Sequence, residues 1–116
     1  MTNKESAALL ELGALDRLIH DPTRLMLMSF LYVVESADFV FLKNQTKLTG
    51  GNISSHMSKL EEAGYVKVKK SFVGKRPQTL FRLTKKGRNA FEKYRKSLHD
   101  AMSCLPKRLR SNGRRK

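Results

Sequence analysis

The chain has 116 residues, with 24 Lys plus Arg against 10 Asp plus Glu, a formal charge of +14. Its 40% hydrophobic content supports one modest core, which excludes a disordered basic tail and a fibrous protein. A single cysteine, Cys104, excludes an intrachain disulfide and a multi-cysteine zinc site, and no apolar run approaches the roughly 18 residues of a membrane span.

The elements follow in chain order. Ala8, Leu12, Leu15 and Ile19 recur at spacings of four, three and four, which predicts an amphipathic helix over about 5–20. Asp21-Pro22 restarts the chain, with Asp as N-cap and Pro at the first helical position, and a second helix runs over 22–35. Ser36-Ala37-Asp38 reads as a break and a cap before a short helix, 39–47. Leu48-Thr49-Gly50-Gly51 reads as a turn, and Ile53, Met57 and Leu60 give a helix over 51–63 closed by Gly64. Short helix, turn, longer helix is the helix-turn-helix layout.

After Gly64 the period changes to two. Val66, Val68 and Phe72 alternate with Lys67, Lys69 and Ser71, and Phe81 and Leu83 share a face further on. This predicts a β-hairpin over 65–83 with Lys75 and Arg76 at its tip, and Phe72 and Phe81 in core phase. Thr84 caps a last helix, 84–105, whose stripe Gly87, Phe91, Tyr94, Leu98, Ala101 and Leu105 has heptad spacing suited to a partner helix. Residues 106–116 read as a basic flexible tail on a 1–105 domain. The fold class is therefore mostly α with a small hairpin.

Charge divides along the chain. Residues 1–64 carry six bases and eight acids, whereas 65–116 carry eighteen bases and two acids. Such segregation in a folded domain points to a polyanionic partner. The polar start and the lone thiol fit a soluble cytoplasmic protein with no membrane partner.

The order of elements is that of a winged helix, and several motifs resemble the ArsR and MarR families of prokaryotic transcription regulators. Asp21-Pro22-Thr23-Arg24-Leu25 resembles the opening of the second helix in ArsR-like proteins. Asn52 to Glu61, followed by Ala63-Gly64-Tyr65-Val66, resembles the recognition helix and its exit in both families. Leu83-Thr84-Lys85-Lys86-Gly87 resembles the exit from the wing in MarR-like proteins. The resemblance implies a homodimer that binds double-stranded DNA and regulates transcription. It names no effector ligand.

With Ile53 facing the core, a step of 100° per residue leaves Asn52, Ser54, Ser55, Ser58 and Lys59 on the far side, with His56 on the flank. Small polar side chains allow close approach in a major groove, and Lys59 suits a phosphate or a guanine edge. Lys67, Lys69, Lys70, Lys75 and Arg76 make the hairpin a basic wing for a minor groove or the backbone, with Arg76 expected to matter most. Leu12, Leu15, Phe91, Tyr94, Leu98 and Leu105 are the candidate dimerisation residues. The pairs His20-Asp21 and His99-Asp100 are adjacent in sequence and do not face one site on a helix, so no metal or other cofactor is expected. No nucleophile–base pattern or phosphate-binding loop appears, so no enzyme is expected. The competing reading is an architectural or RNA-binding winged helix that uses charge without base readout.

Overall fold

The structure is a computed structural model and describes residues 1–106. The elements are α1 (Asn3–Leu10), a 3-10 turn (Glu11–Ala14), α2 (Pro22–Val34), β1 (Ser36–Asp38), α3 (Phe39–Thr46), α4 (Gly50–Glu62), β2 (Val66–Val73), β3 (Arg76–Leu83) and α5 (Lys85–Ser103). They form two compact units, residues 16–93 and the terminal segments 1–15 with the chain from 94 onward. From residue 107 on, the expected tail lies outside the described residues.

The larger unit is a helical layer with a three-stranded antiparallel sheet of order β1-β3-β2. Ile19, Leu27, Met28, Leu31, Leu42, Ile53, Met57 and Leu60 are fully buried, joined by Ala37, Val66, Phe81 and Leu83. Helix starts follow the caps read from sequence. Asp21 accepts from the Arg24 N–H at 3.0 Å, Asp38 from that of Phe41 at 2.7 Å, and Thr84 from that of Gly87 at 2.9 Å. The Arg24 N–H holds the Asp21 carboxyl below the usual carboxylate range. Gly64 takes φ +80° after α4. There the Tyr65 N–H donates to Leu60 O and the Gly64 N–H to Glu61 O, both at 2.9 Å. This paired closure satisfies the last carbonyls of α4 and turns the chain into β2.

Three local expectations are corrected. The first helix ends at Leu10 and passes through the 3-10 turn, so 5–20 is not one helix. Asp16 captures the N–H groups of Leu18, at 2.9 Å, and Ile19, at 3.4 Å, an alternative to helical pairing. Ser36–Asp38 is a strand as well as a break, since Ala37 pairs with Phe81 across the sheet. Gly50 and Gly51 form the first turn of α4 and not a loop before it. Their N–H groups would lack intrahelical partners anyway, and Thr49 Oγ1 caps the helix by accepting from the Asn52 N–H at 3.1 Å.

Tyr65 ties the start of the wing to the segment before α2 through a hydrogen bond from its hydroxyl to the Asp16 carboxylate. Burial first, and this bond second, push its pKa up from 10.0 to about 12. The native state thus holds the phenolic proton more tightly than the unfolded chain. Its contribution is intact below pH 10 and declines as pH rises toward 12, because the unfolded chain deprotonates first. Tyr65→Phe should lower stability at neutral pH by about 1–2 kcal/mol. It should also flatten the alkaline decline, as measured by urea unfolding at pH 7 and from pH 9 upward. An unchanged alkaline slope would contradict this.

In the smaller unit, Leu15, Tyr94 and Ala101 are buried, and Leu12 and Leu98 are half-buried. Leu10, Met102 and Leu105 are exposed. Phe91 belongs to the larger unit. It is buried there and stacks on Tyr32 with ring centroids 5.0 Å apart, and the Arg88 guanidinium lies 4.6 Å from the Tyr32 ring centroid. The first part of the heptad stripe thus packs in the chain's own core, and the exposed apolar residue of the stripe is Leu105, with Met102 three residues before it.

Candidate nucleic-acid interface

The helix-turn-helix consists of α3, a left-handed Lys47 at φ +62°, Leu48, the Thr49 cap and α4. Ile53, Met57 and Leu60 bury one face of α4. Asn52, Ser54, Ser55, Ser58 and Lys59 are exposed, as the helical step predicts, and Ser55 and Ser58 project most directly away from the core. Glu61 and Glu62 are also exposed, at the far end of the same helix.

His56 differs from its five neighbours. It is half-buried, and its Nδ1 lies 3.1 Å from Arg24 Nη1. A guanidinium has only donors, so Nδ1 is the accepting partner of this pair. Arg24 Nε also donates to Leu18 O at 2.6 Å, and Nη2 lies 3.8 Å from Asp21 Oδ1. Arg24 thereby joins the loop before α2, the cap of α2 and the middle of α4. It is a positioning residue for the recognition helix that sequence reasoning missed. Its partner is 32 residues away, and no periodicity links the two.

The wing is the β2–β3 hairpin, with Val66 opposite Leu83 and Val73 opposite Arg76. Only Gly74 and Lys75 lie in the turn, so Arg76 is the first residue of β3 rather than part of the tip. Lys67, Lys69, Lys70, Lys75 and Arg76 are all exposed, but the strand separates them. Lys70 shares a face with Val66 and Val68. It lines a hollow of about 380 Å³ with Ser54, Ser58 and Glu61 of α4 and Thr79 of β3. Lys67 and Lys69 alternate to the opposite face, where Lys67 stands directly across from Arg82. Like charges paired in this way oppose each other unless an anion lies near both. Arg82 thus extends the basic back of the wing, and its cross-strand register with Lys67 was not readable before the pairing was known.

The aromatic phase also needs correction. Phe81 is buried, but Phe72 is 71% exposed, because the hairpin extends beyond the core that covers its base.

Comparisons with known proteins agree with this arrangement. Residues 23–102 match the family model of a winged helix DNA-binding domain. The chain is similar to an uncharacterized protein of Methanocaldococcus jannaschii, MJ0432, at 38% identity over 78 residues, which span 67% of this chain and 85% of that protein. Among solved structures, it is similar to a transcriptional regulator homologue from Pyrococcus horikoshii OT3, with a TM-score of 0.73 and 28% identity over 85% of this chain and 94% of that one. The fold is also that of NadR, solved in complex with 4-hydroxyphenylacetate, with a TM-score of 0.64 and 19% identity over 84% of this chain and 70% of that one. A capped helix-turn-helix followed directly by a basic hairpin, matched from the start of α2 almost to the end of α5, places the chain in the winged helix DNA-binding domain family.

Proposed function

We propose that this protein is a dimeric, sequence-specific transcription regulator. In this reading α4 enters the major groove of double-stranded DNA, and the wing lies on the adjacent minor groove or backbone. The observation that carries it is the outer face of α4. Five exposed residues there are small and polar or, at Lys59, basic, and Lys70 of the wing shares a hollow with two of them. Small donors and acceptors suit base edges, while the surrounding cations suit phosphates. Asn52, Ser54, Ser55, Ser58 and Lys59 are the proposed reading residues, with His56 as an anchor at their edge. Lys67, Lys69, Lys70, Lys75 and Arg76 supply the wing's contacts, Arg76 foremost. The domain assignment keeps 1–105 as the DNA-binding body with dimerising ends. Leu12, Leu15, Phe91, Tyr94, Leu98 and Leu105 are the proposed dimer residues, and the exposure of Leu10, Met102 and Leu105 favours a partner there.

The regulator homologue from Pyrococcus horikoshii supports the regulatory part of the reading. One observation favours the alternative, an architectural or RNA-binding role. The exposed Phe72 gives the basic surface an aromatic on which a base could stack. Selection from a randomised duplex library at two salt concentrations separates the two. Specific readout should enrich a roughly palindromic motif with half-sites about 10 bp apart. No enrichment, with affinity falling uniformly as salt rises, would favour the alternative.

A further inference from the structure

Along the core-side face of β2, burial fades outward. Val66 is buried, Val68 half-buried, Lys70 exposed, and Phe72 71% exposed. Phe72 lies about 13 Å along the strand from Val68, at two residues per pleat. It stands opposite Pro77, which is also exposed. That position suits Pro, because β1 pairs with β3 only at Leu80, Phe81 and Arg82, and the outer part of β3 has a single partner strand. This face of the wing's end thus presents two apolar groups side by side, with the exposed Val73 on the opposite face. Burying a Phe contributes about 1.5–3 kcal/mol, and within the described chain Phe72 gains little of it.

The surroundings indicate what covers this pair. Lys70 shares its face, Lys75 lies in the adjoining turn, and no acid occurs between Glu62 and Glu92. It lies on the face of the wing that also borders the hollow shared with Ser54 and Ser58 of α4. An apolar pair flanked by Lys70 and Lys75, on the side of the reading helix, matches a groove with phosphate walls and a stacked apolar interior. A lipid surface would ask for a larger continuous apolar face than Phe72 and Pro77 on one side and Val73 on the other.

We propose that Phe72, supported by Pro77, is a minor-groove wedge that partly unstacks a base step and bends the duplex. Unstacking costs free energy, which the closer approach of the flanking cations offsets. The proposal rests on the DNA-binding reading above and adds a mode of contact to it.

The chain has no tryptophan, so Phe72→Trp is a single-tryptophan reporter that can be excited apart from the tyrosines. In the full-length protein its emission should be that of an exposed indole and should be strongly quenched on adding the selected duplex. Phe72→Ala should lower affinity about tenfold, the scale of one lost aromatic stack. The slope of log affinity against log salt should be unchanged, since no cation is removed. The bend, read by energy transfer between dyes at the duplex ends, should decrease, and thermal stability should stay near that of the wild type. Equal affinity and equal bend for wild type and Phe72→Ala would overturn the wedge while leaving DNA binding intact. A wild-type protein that binds no duplex would overturn both readings. Indole emission already buried in the free protein, and dependent on protein concentration, would show that a second copy covers Phe72 and would overturn the wedge.

Discussion

Gly87→Ala should cost about 3 kcal/mol or more and lower the melting temperature by roughly 15 °C, a large share of a small domain's stability. A Cβ at position 87 would lie 2.1 Å from the Tyr65 carbonyl oxygen and 2.8 Å from its carbonyl carbon. The obstruction is backbone, and that backbone is held from several sides. The Thr84 N–H donates to the same Tyr65 oxygen at 3.0 Å, and the Tyr65 N–H donates to Leu60 O. Thr84 Oγ1 donates to Gly64 O at 2.6 Å. The Tyr65 side chain is bonded to Asp16. Relieving the clash therefore requires moving α5 away from the α4–β2 corner or breaking that network. Asn89→Ala is the control, an exposed position on the same helix where Ala should be neutral or slightly favourable. Thermal and urea unfolding of the three proteins would check this. A Gly87→Ala protein melting within a few degrees of wild type would contradict so close an approach.

Ser55→Glu should reduce affinity for a selected duplex about 100-fold or more while leaving the melting temperature nearly unchanged. Ser55 is exposed on the face of α4 farthest from Ile53, so the new side chain meets no core atom. Glu is also the better helix former, and the folded protein has no reason to resist it. At the proposed interface the carboxylate would be forced among phosphates and base acceptors, and like-charge juxtaposition of this kind costs several kcal/mol. Fluorescence anisotropy at low salt, with thermal unfolding as the control for folding, would read both effects. Wild-type affinity for Ser55→Glu would mean that the outer face of α4 is not the reading face. Loss of binding together with loss of stability would mean that the side chain is less free than its exposure indicates.

Much of this architecture was legible in the residues. Asp21, Asp38 and Thr84 act as the caps their positions suggested, because capping needs only a side-chain oxygen and an N–H three residues on. Gly64 closes α4, because helix exit is equally local. The exposed and buried faces of α4 followed from a period of 3.6, and the two-sided distribution of the wing lysines from a period of two. The proposed reading residues Asn52, Ser54, Ser55, Ser58 and Lys59 were therefore visible as a face.

Other features were not legible, for reasons that can be stated residue by residue. β1 has three residues, too few for a period, and exists because Ala37 meets Phe81. The helix stripe from Ala8 to Ile19 was real as a pattern, but the Asp16 carboxylate redirected its end. Gly87 looked like one member of an apolar stripe, yet its role is close approach to Tyr65, a contact across more than twenty residues. The Arg24–His56 bond is equally nonlocal. Phe72 had the phase of a core residue, but phase gives a side chain's face and not how far along the strand that face stays covered. The sequence by itself determined the order of the elements, their caps and the concentration of positive charge after residue 64, because each depends on neighbours within about four residues or on simple counting. Only the tertiary structure decided which cation shares a hollow with the recognition helix, which histidine is held by an arginine, and where the hydrophobic cover of the wing ends. Those outcomes depend on which distant segments meet, and no local period encodes that.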